Sequence, residues 1–199
     1  MKKLLQEFYR RDDVVKVGRD LLGKVLCTNV GGNLTKAIIT ETEAYAGIGD
    51  RASHAYGGRR TARTEPMYAD GGIAYVYLCY GMHHLFNIVT STKDDPQAVL
   101  VRAGHPLVGI DTMYARRGKA ANATNLLAGP GSLARALGIR TEMTGEDLLG
   151  DQIWIEDQSF SVPDEHISIG PRIGIDYAGE DASRPYRFAV PPAEHAVVF

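Results

Sequence analysis

The spacing of apolar positions divides the chain into short elements. Residues 4–11 (LLQEFYRR) carry helical apolar spacing. Asp12 and Asp13 offer caps for a second short helix running to about Leu22, with Val14, Val15, Val17, Leu21 and Leu22 as its apolar positions. Gly23 ends it. Lys24–Val30 reads as a strand, Gly31-Gly32-Asn33 as a hairpin turn, and Lys36–Tyr45 as a second strand of alternating character. Residues 46–70 are rich in Gly, Ala and Arg and predict a long ordered loop with short helical turns. A loop of that length inside a compact domain is usually functional.

Gly71–Asn87 follows, read GGIAYVYLCYGMHHLFN. Turn signals stand at its start and around Tyr80-Gly81-Met82. The stretch therefore predicts two strands folded back as a hairpin, with Tyr80 at or beside the tip. Asp94-Asp95-Pro96 marks another turn. Gln97–Ala103 is a buried-strand candidate, and Leu107–Arg117 a helix stopped by Gly118. Ala120–Leu127 is a polar connection, and Pro130–Leu137 a helix entered through Gly129-Pro130-Gly131. Strands are expected near Ile153–Ile155, His166–Ile169 and Tyr186–Val190. There is no internal repeat, low-complexity segment or linker. Short strands and a few helices without regular βαβ alternation predict one α+β domain over residues 1–199, built around an antiparallel sheet.

Composition agrees: 44% hydrophobic and 23% charged residues are ordinary for a soluble globular chain. Two cysteines, Cys27 and Cys79, make no disulfide framework and favour a reducing cytosol. The opening MKKLLQEFY is basic, but its apolar run ends at Gln6-Glu7, unlike a signal peptide. No stretch approaches the roughly 18 apolar residues of a membrane span. A net charge of −2 argues against wholesale nucleic-acid binding. Its distribution alters that reading. Arg51, Arg59, Arg60 and Arg63 lie in a segment, 51–63, without Asp or Glu. A solvated loop face is the bland account. Beside an exposed aromatic tip, phosphate contact is the better one.

On a strand, Ile39, Glu41, Glu43 and Tyr45 would share one face, with the glutamates roughly 6.5 Å apart. They are either solvated edge residues or carboxylates beside an aromatic wall, which suits a general base; spacing does not choose. His54 taken alone is more often structural than catalytic. His83 and His84 are adjacent, so they face opposite ways, and no Cys/His cluster has zinc spacing. No metal or cofactor is expected. The absence of lysine between Lys36 and Lys93 disfavours a Schiff-base nucleophile there and leaves water. Six of the ten tyrosines lie between Tyr45 and Tyr80. Rings beside a basic loop can stack on bases, each stack worth about 1–3 kcal/mol. An aromatic core accounts for Tyr75 more easily than for Tyr77 and Tyr80.

The segments RDLLGKVL, ITETEAYAG, HAYGGRRTART, GGIAYVYLCYGMHHLFN, QAVLVRAGHPL, LLAGPGSLARALGI and GPRIGIDYAGEDASRPYRF span Arg19 to Phe188. In them the chain resembles the alkyladenine (3-methyladenine) DNA glycosylases of the human type, whose bacterial members are close in length. The resemblance implies a mixed α+β domain with a curved antiparallel sheet, surrounding helices and a protruding hairpin that inserts into DNA. It implies base excision: alkylated or deaminated purines are flipped from duplex DNA and the N-glycosidic bond is hydrolysed. The implied substrates are 3-methyladenine and, besides it, 7-methylguanine, hypoxanthine and ethenoadenine, with no preference among them readable from the sequence.

Roles follow by the same resemblance. Glu43 looks like the general base and Arg102 like the arginine that helps place the water. Tyr45, His54, Tyr77 and Asn87 resemble the base pocket, Asn87 rejecting guanine. Tyr80 resembles the intercalating residue, and Arg59, Thr61, Arg63, Gly81 and Met82 the contacts to the DNA backbone. The Gly129-Pro130-Gly131 turn resembles a further source of backbone contacts. His83 and His84 stand where mammalian members carry aromatics, so substrate range is where a difference is expected. The implied partner is double-stranded DNA carrying damaged purines, met by a monomer in the bacterial cytosol, away from membranes. Without a nearby lysine, strand nicking is not expected. The competing readings are a non-catalytic module for damaged bases, a carbohydrate-directed glycoside hydrolase using Glu41 and Glu43, and an RNA-binding use of the fold.

Overall fold

The computed structural model of the chain describes residues 2–118 and 120–199; Met1, the first residue of the basic opening stretch, lies outside them. Its long spine is strand β3 (Asn33–Tyr45), thirteen residues rich in Thr, Ile and Ala. β-Branched residues favour such a pleated, half-buried ribbon. The Gly31-Gly32 turn, both residues at positive φ, joins it to β2 (Val25–Val30) in an antiparallel hairpin. Along its other edge runs β6 (Gln97–Val108), paired from Lys36 to Tyr45. Among the described residues nine strands form one sheet, every pairing antiparallel. The main order is β1 (Lys2–Lys3), β7 (Ile153–Asp157), β2, β3, β6, β5 (His83–Thr90), β4 (Ala74–Cys79). Beyond the end of β2, the free edge of β3 is taken up by β9 (Arg187–Ala189), which also pairs with β8 (Ser168–Gly170).

The helices are short. α1 (Gln6–Tyr9) precedes α2 (Val14–Asp20), whose N-cap Asp13 accepts the Lys16 N–H at 2.9 Å, as its place before the apolar run predicts. α3 (Ile110–Arg117) ends at Gly118 and α4 (Pro130–Leu137) starts with Pro in its first turn. The main core joins α2 and α4 to one face of the sheet: Val17, Leu21, Ile39, Phe86, Ile88, Val99, Val101, Leu133 and Leu137 are all buried. Each such side chain contributes about 1.5–3 kcal/mol through its burial. Among the described residues no helix is long and apolar enough to cross a membrane.

Three expectations need correction. The first helix covers only Gln6–Tyr9, because the Leu4 N–H bonds to the Ile155 carbonyl and extends the sheet edge instead. Leu107 and Val108 continue β6, and the helix starts after Gly109, whose φ of 75° breaks the strand. His166 lies in a 3₁₀ turn before β8. The predicted long loop, residues 46–70, does hold three short 3₁₀ turns: Gly47–Gly49, Tyr56–Gly58 and Glu65–Tyr68.

Candidate active site

The site starts from an irregularity in β3. Ile39 pairs with Gly104 and Glu41 with Ala103, so Thr40 is an extra residue on β3; Thr42 then pairs with Val101, so Arg102 is an extra residue on β6. Two such bulges re-aim side chains and increase twist. The consequence corrects the simple alternation. Ile39 joins the main core with Ala37 and Ala44, while Glu41, Glu43 and Tyr45 face the other way.

On that face Arg102 sits between the two glutamates. Its Nε donates to Glu41 Oε1 at 2.9 Å, and its Nη1 is 3.3 Å from Glu43 Oε2. Glu43 is fully buried. Its Oε2 accepts the Tyr45 hydroxyl at 2.9 Å, and its Oε1 accepts the Ile173 backbone N–H at 2.7 Å. Burial first, and then the neighbouring Glu43 charge, push the Tyr45 phenol well above the usual tyrosine range, so it stays a donor.

Behind Tyr45 lies a second buried pair. Arg172 donates to Asp50 through both terminal nitrogens, at 2.5 and 2.8 Å, and neither side chain reaches solvent. Bidentate geometry of this kind is the strong form of the interaction. Asp50 also accepts the Ala46 and Ala52 N–H groups, and Arg172 Nη1 donates to the Ala44 carbonyl. The guanidinium lies 4.8 Å from the Tyr45 ring centre. One ion pair thus ties the end of β3, the start of the long loop and the segment that carries Ile173.

In front of Tyr45 opens a cavity of about 670 Å³. The hairpin of β4 and β5 supplies one wall. Its entry is fixed by Gly71, where a Cβ would collide with the Tyr9 carbonyl oxygen. Tyr77 packs edge-on against His54, ring centres 4.6 Å apart, and the Tyr75 hydroxyl is 2.8 Å from His54 Nδ1. Burial, together with the charges of Arg63 and Arg59, lowers the His54 pKa to about 4, so the imidazole is neutral near pH 7. Asn87, buried on β5, donates to the carbonyl of its cross-strand partner Tyr75 and lines the cavity. Gly129, Pro130 and Gly131 border it at the start of α4.

The tip of the hairpin is different in kind. Tyr80 and Gly81 both have positive φ, 51° and 68°, the mirror-image turn that suits a twisted hairpin. For a tyrosine that conformation is strained. Tyr80 is 89% exposed, and Met82 beside it 70%. The two neighbouring histidines diverge: His83 lines the cavity against Gly131, while His84 Nδ1 accepts the Thr141 N–H. The basic loop is uneven. Arg60 is held by Glu65 and Asp94 and lies over Tyr68, whereas Arg63 lies over the Tyr77 ring at the cavity wall. Thr61 is exposed beside them; the Arg59 carbonyl accepts the Tyr68 hydroxyl.

A protein-family model described as methylpurine-DNA glycosylase matches residues 7–194. The chain belongs to that family. A relative from Desulfitobacterium hafniense, provisionally named a 3-methyladenine DNA glycosylase, is 44% identical over the whole of both chains. Relatives of the same name from Chlamydia abortus and Bacillus thuringiensis are each 47% identical, covering 93% and 88% of this chain and 96% and 90% of their own.

The glycosylase brings Tyr45, His54, Tyr77, Asn87 and Arg102 to one cavity and Tyr80 to its mouth. Glu43 is close behind the wall formed by Tyr45, Arg102 and Ile173 rather than on its surface. Sequence reasoning gave no role to Tyr75, Asp50, Arg172 or Ile173. The last two stand in the segment GPRIGIDY, whose only signal was its place in the order of matching segments.

Proposed function

We propose that this glycosylase excises alkylated or deaminated purines from duplex DNA, 3-methyladenine first among them, with Glu43 as general base for an attacking water. The observation that carries this is the buried Glu43 carboxylate, held behind an aromatic-walled cavity beside Arg102. Each carboxylate oxygen has two lone pairs, and the Tyr45 and Ile173 donors occupy one on each. One lone pair per oxygen is left for water and for Arg102.

Positive charge builds on the sugar as an N-glycosidic bond breaks, and a carboxylate alongside stabilises it. Alkylated purines are electron-poor and leave readily. The chain's task is access, an oriented water and a base. Extruding the nucleotide costs a few kcal/mol, least for a damaged or mispaired base. Tyr80 offsets that by filling the vacated stack. Tyr45, Tyr77 and His54 wall the flipped base, and Asn87 excludes guanine through its exocyclic amine. Arg59, Thr61, Arg63, Gly81 and Met82 contact the DNA backbone. The neutral His54 adds no charge repulsion against a cationic base. Among the described residues that line the cavity there is no lysine, which favours hydrolysis without strand nicking. The enzyme acts as a monomer in the cytosol.

The test is excision from duplexes bearing 3-methyladenine, hypoxanthine or 1,N6-ethenoadenine. Free base should appear with an intact strand carrying an abasic site. Nicking of that strand, with borohydride trapping of the protein on DNA, would refute the hydrolytic reading. Tight binding of damaged duplex without release of base would mark a recognition module instead.

A further inference from the structure

Glu41 is a carboxylate on the same face as Glu43 with no part in the chemistry just described. Its Oε1 accepts from two arginines at once, Arg102 Nε at 2.9 Å and Arg187 Nη1 at 3.1 Å. Arg187 is anchored in turn by the Pro171 carbonyl, at 3.0 Å from its Nε. Arg102 therefore stands closer to Glu41 than to Glu43, 2.9 Å against 3.3 Å, although both carboxylates are within its reach. Alternation puts Glu41 and Glu43 on one face of β3, and the bulge at Arg102 brings the arginine to that face from β6.

We infer that Glu41 is a positioning residue that holds Arg102 off the general base. The inference rests on Glu43 being that base. An arginine fully engaged with Glu43 would occupy its remaining lone pairs and favour the ionised form, making it a poorer proton acceptor. A site without any arginine would lose the donor that orients the water. Glu41 sets the middle course: Arg102 stays beside Glu43 with its Nε committed elsewhere. The charges that face the pair are accounted for. Glu43 meets Arg102 from β6, Tyr45 from its own strand, and Arg172 and Tyr177 from the C-terminal segment. Glu41 meets Arg102 and Arg187.

The test is single-turnover excision against pH for the wild type, Glu41→Gln, Glu41→Asp, Glu43→Gln, Arg102→Ala and the Glu41→Gln/Arg102→Ala double variant. Damaged-duplex affinity and melting temperature are followed alongside. Glu41→Gln leaves only a neutral amide oxygen to accept from Arg102, so the balance of charge draws the guanidinium toward Glu43. The rate should fall about tenfold and its acid limb should move to lower pH by about one pH unit, the size of effect a newly close opposite charge produces. Affinity should stay within about twofold, and Glu41→Asp should recover much of the rate. In the Arg102→Ala background Glu41→Gln should add nothing, because its whole effect passes through that arginine. An acid limb that does not move, or a Glu41→Gln penalty that persists without Arg102, overturns the inference. Excision surviving in Glu43→Gln would instead overturn the role of Glu43 itself, so the two failures are distinct.

Discussion

Tyr80 borders the cavity, and Glu43 lies just behind its wall. Glu43 is fully buried, and both of its oxygens accept a hydrogen bond from a group fixed by the fold. Tyr80 is 89% exposed, in a backbone conformation that tyrosine rarely adopts. The first is over-determined by its surroundings; the second is presented to solvent. The proposed roles match that difference: chemistry needs a group held still in a dry site, and access to a stacked base needs a group presented outward. The chain separates the two on different strands.

The sharpest way to break this contrast is Glu43→Gln, which keeps the shape and removes the proposed base. Excision should fall by about 10²–10⁴, the usual contribution of general-base catalysis, while damaged-duplex binding persists. Equal loss of both would make Glu43 a structural residue. Next is Asp50→Ala, which leaves Arg172 buried without its partner. Urea titration should register a loss of about 3–5 kcal/mol; a change under 1 kcal/mol would mean the pair is not what braces the site. Tyr80→Ala should leave the fold untouched, as its melting temperature would show. The base-flipping equilibrium, followed with a fluorescent ethenoadenine duplex, should weaken by about 1–3 kcal/mol of lost stacking. Unchanged flipping would remove Tyr80 from the account. The smallest effect separates two arginines of one loop. Arg63→Ala should reduce the salt dependence of binding by about one unit of slope, and Arg60→Ala by much less, because Glu65 and Asp94 already hold it. Equal slopes would return both to a merely solvated face.

The two regions also differed in how far the amino-acid order revealed them. The tip was plain: Tyr80-Gly81 between two apolar, aromatic runs is a local signal, and local turn chemistry decides it. The Asp13 cap and the Gly31-Gly32 turn were legible for the same reason. The floor of the site was only half legible. Glu41, Glu43 and Tyr45 share a face as alternation predicts, but Ile39 does not, because an extra residue at Thr40 leaves no mark in a run of Thr, Ile and Glu. Nor could spacing tell a solvated Glu43 from a buried one. That depends on Ile173, 130 residues away, and on Arg172, 122 residues from Asp50. Contacts of such separation have no local signature; the resemblance pointed to the segment but not to its work.

The same separation has a consequence for the order in which the enzyme becomes one. Residues 1–110 contain both glutamates, Arg102 and the whole hairpin. A nascent chain that far along already holds the hairpin and its exposed Tyr80. It lacks the Ile173 N–H on Glu43 and the Arg172 brace behind Tyr45, which arrive only once residues 172 and 173 are made. A fragment cut before Arg172 lacks both the donor on Glu43 Oε1 and the guanidinium behind Tyr45.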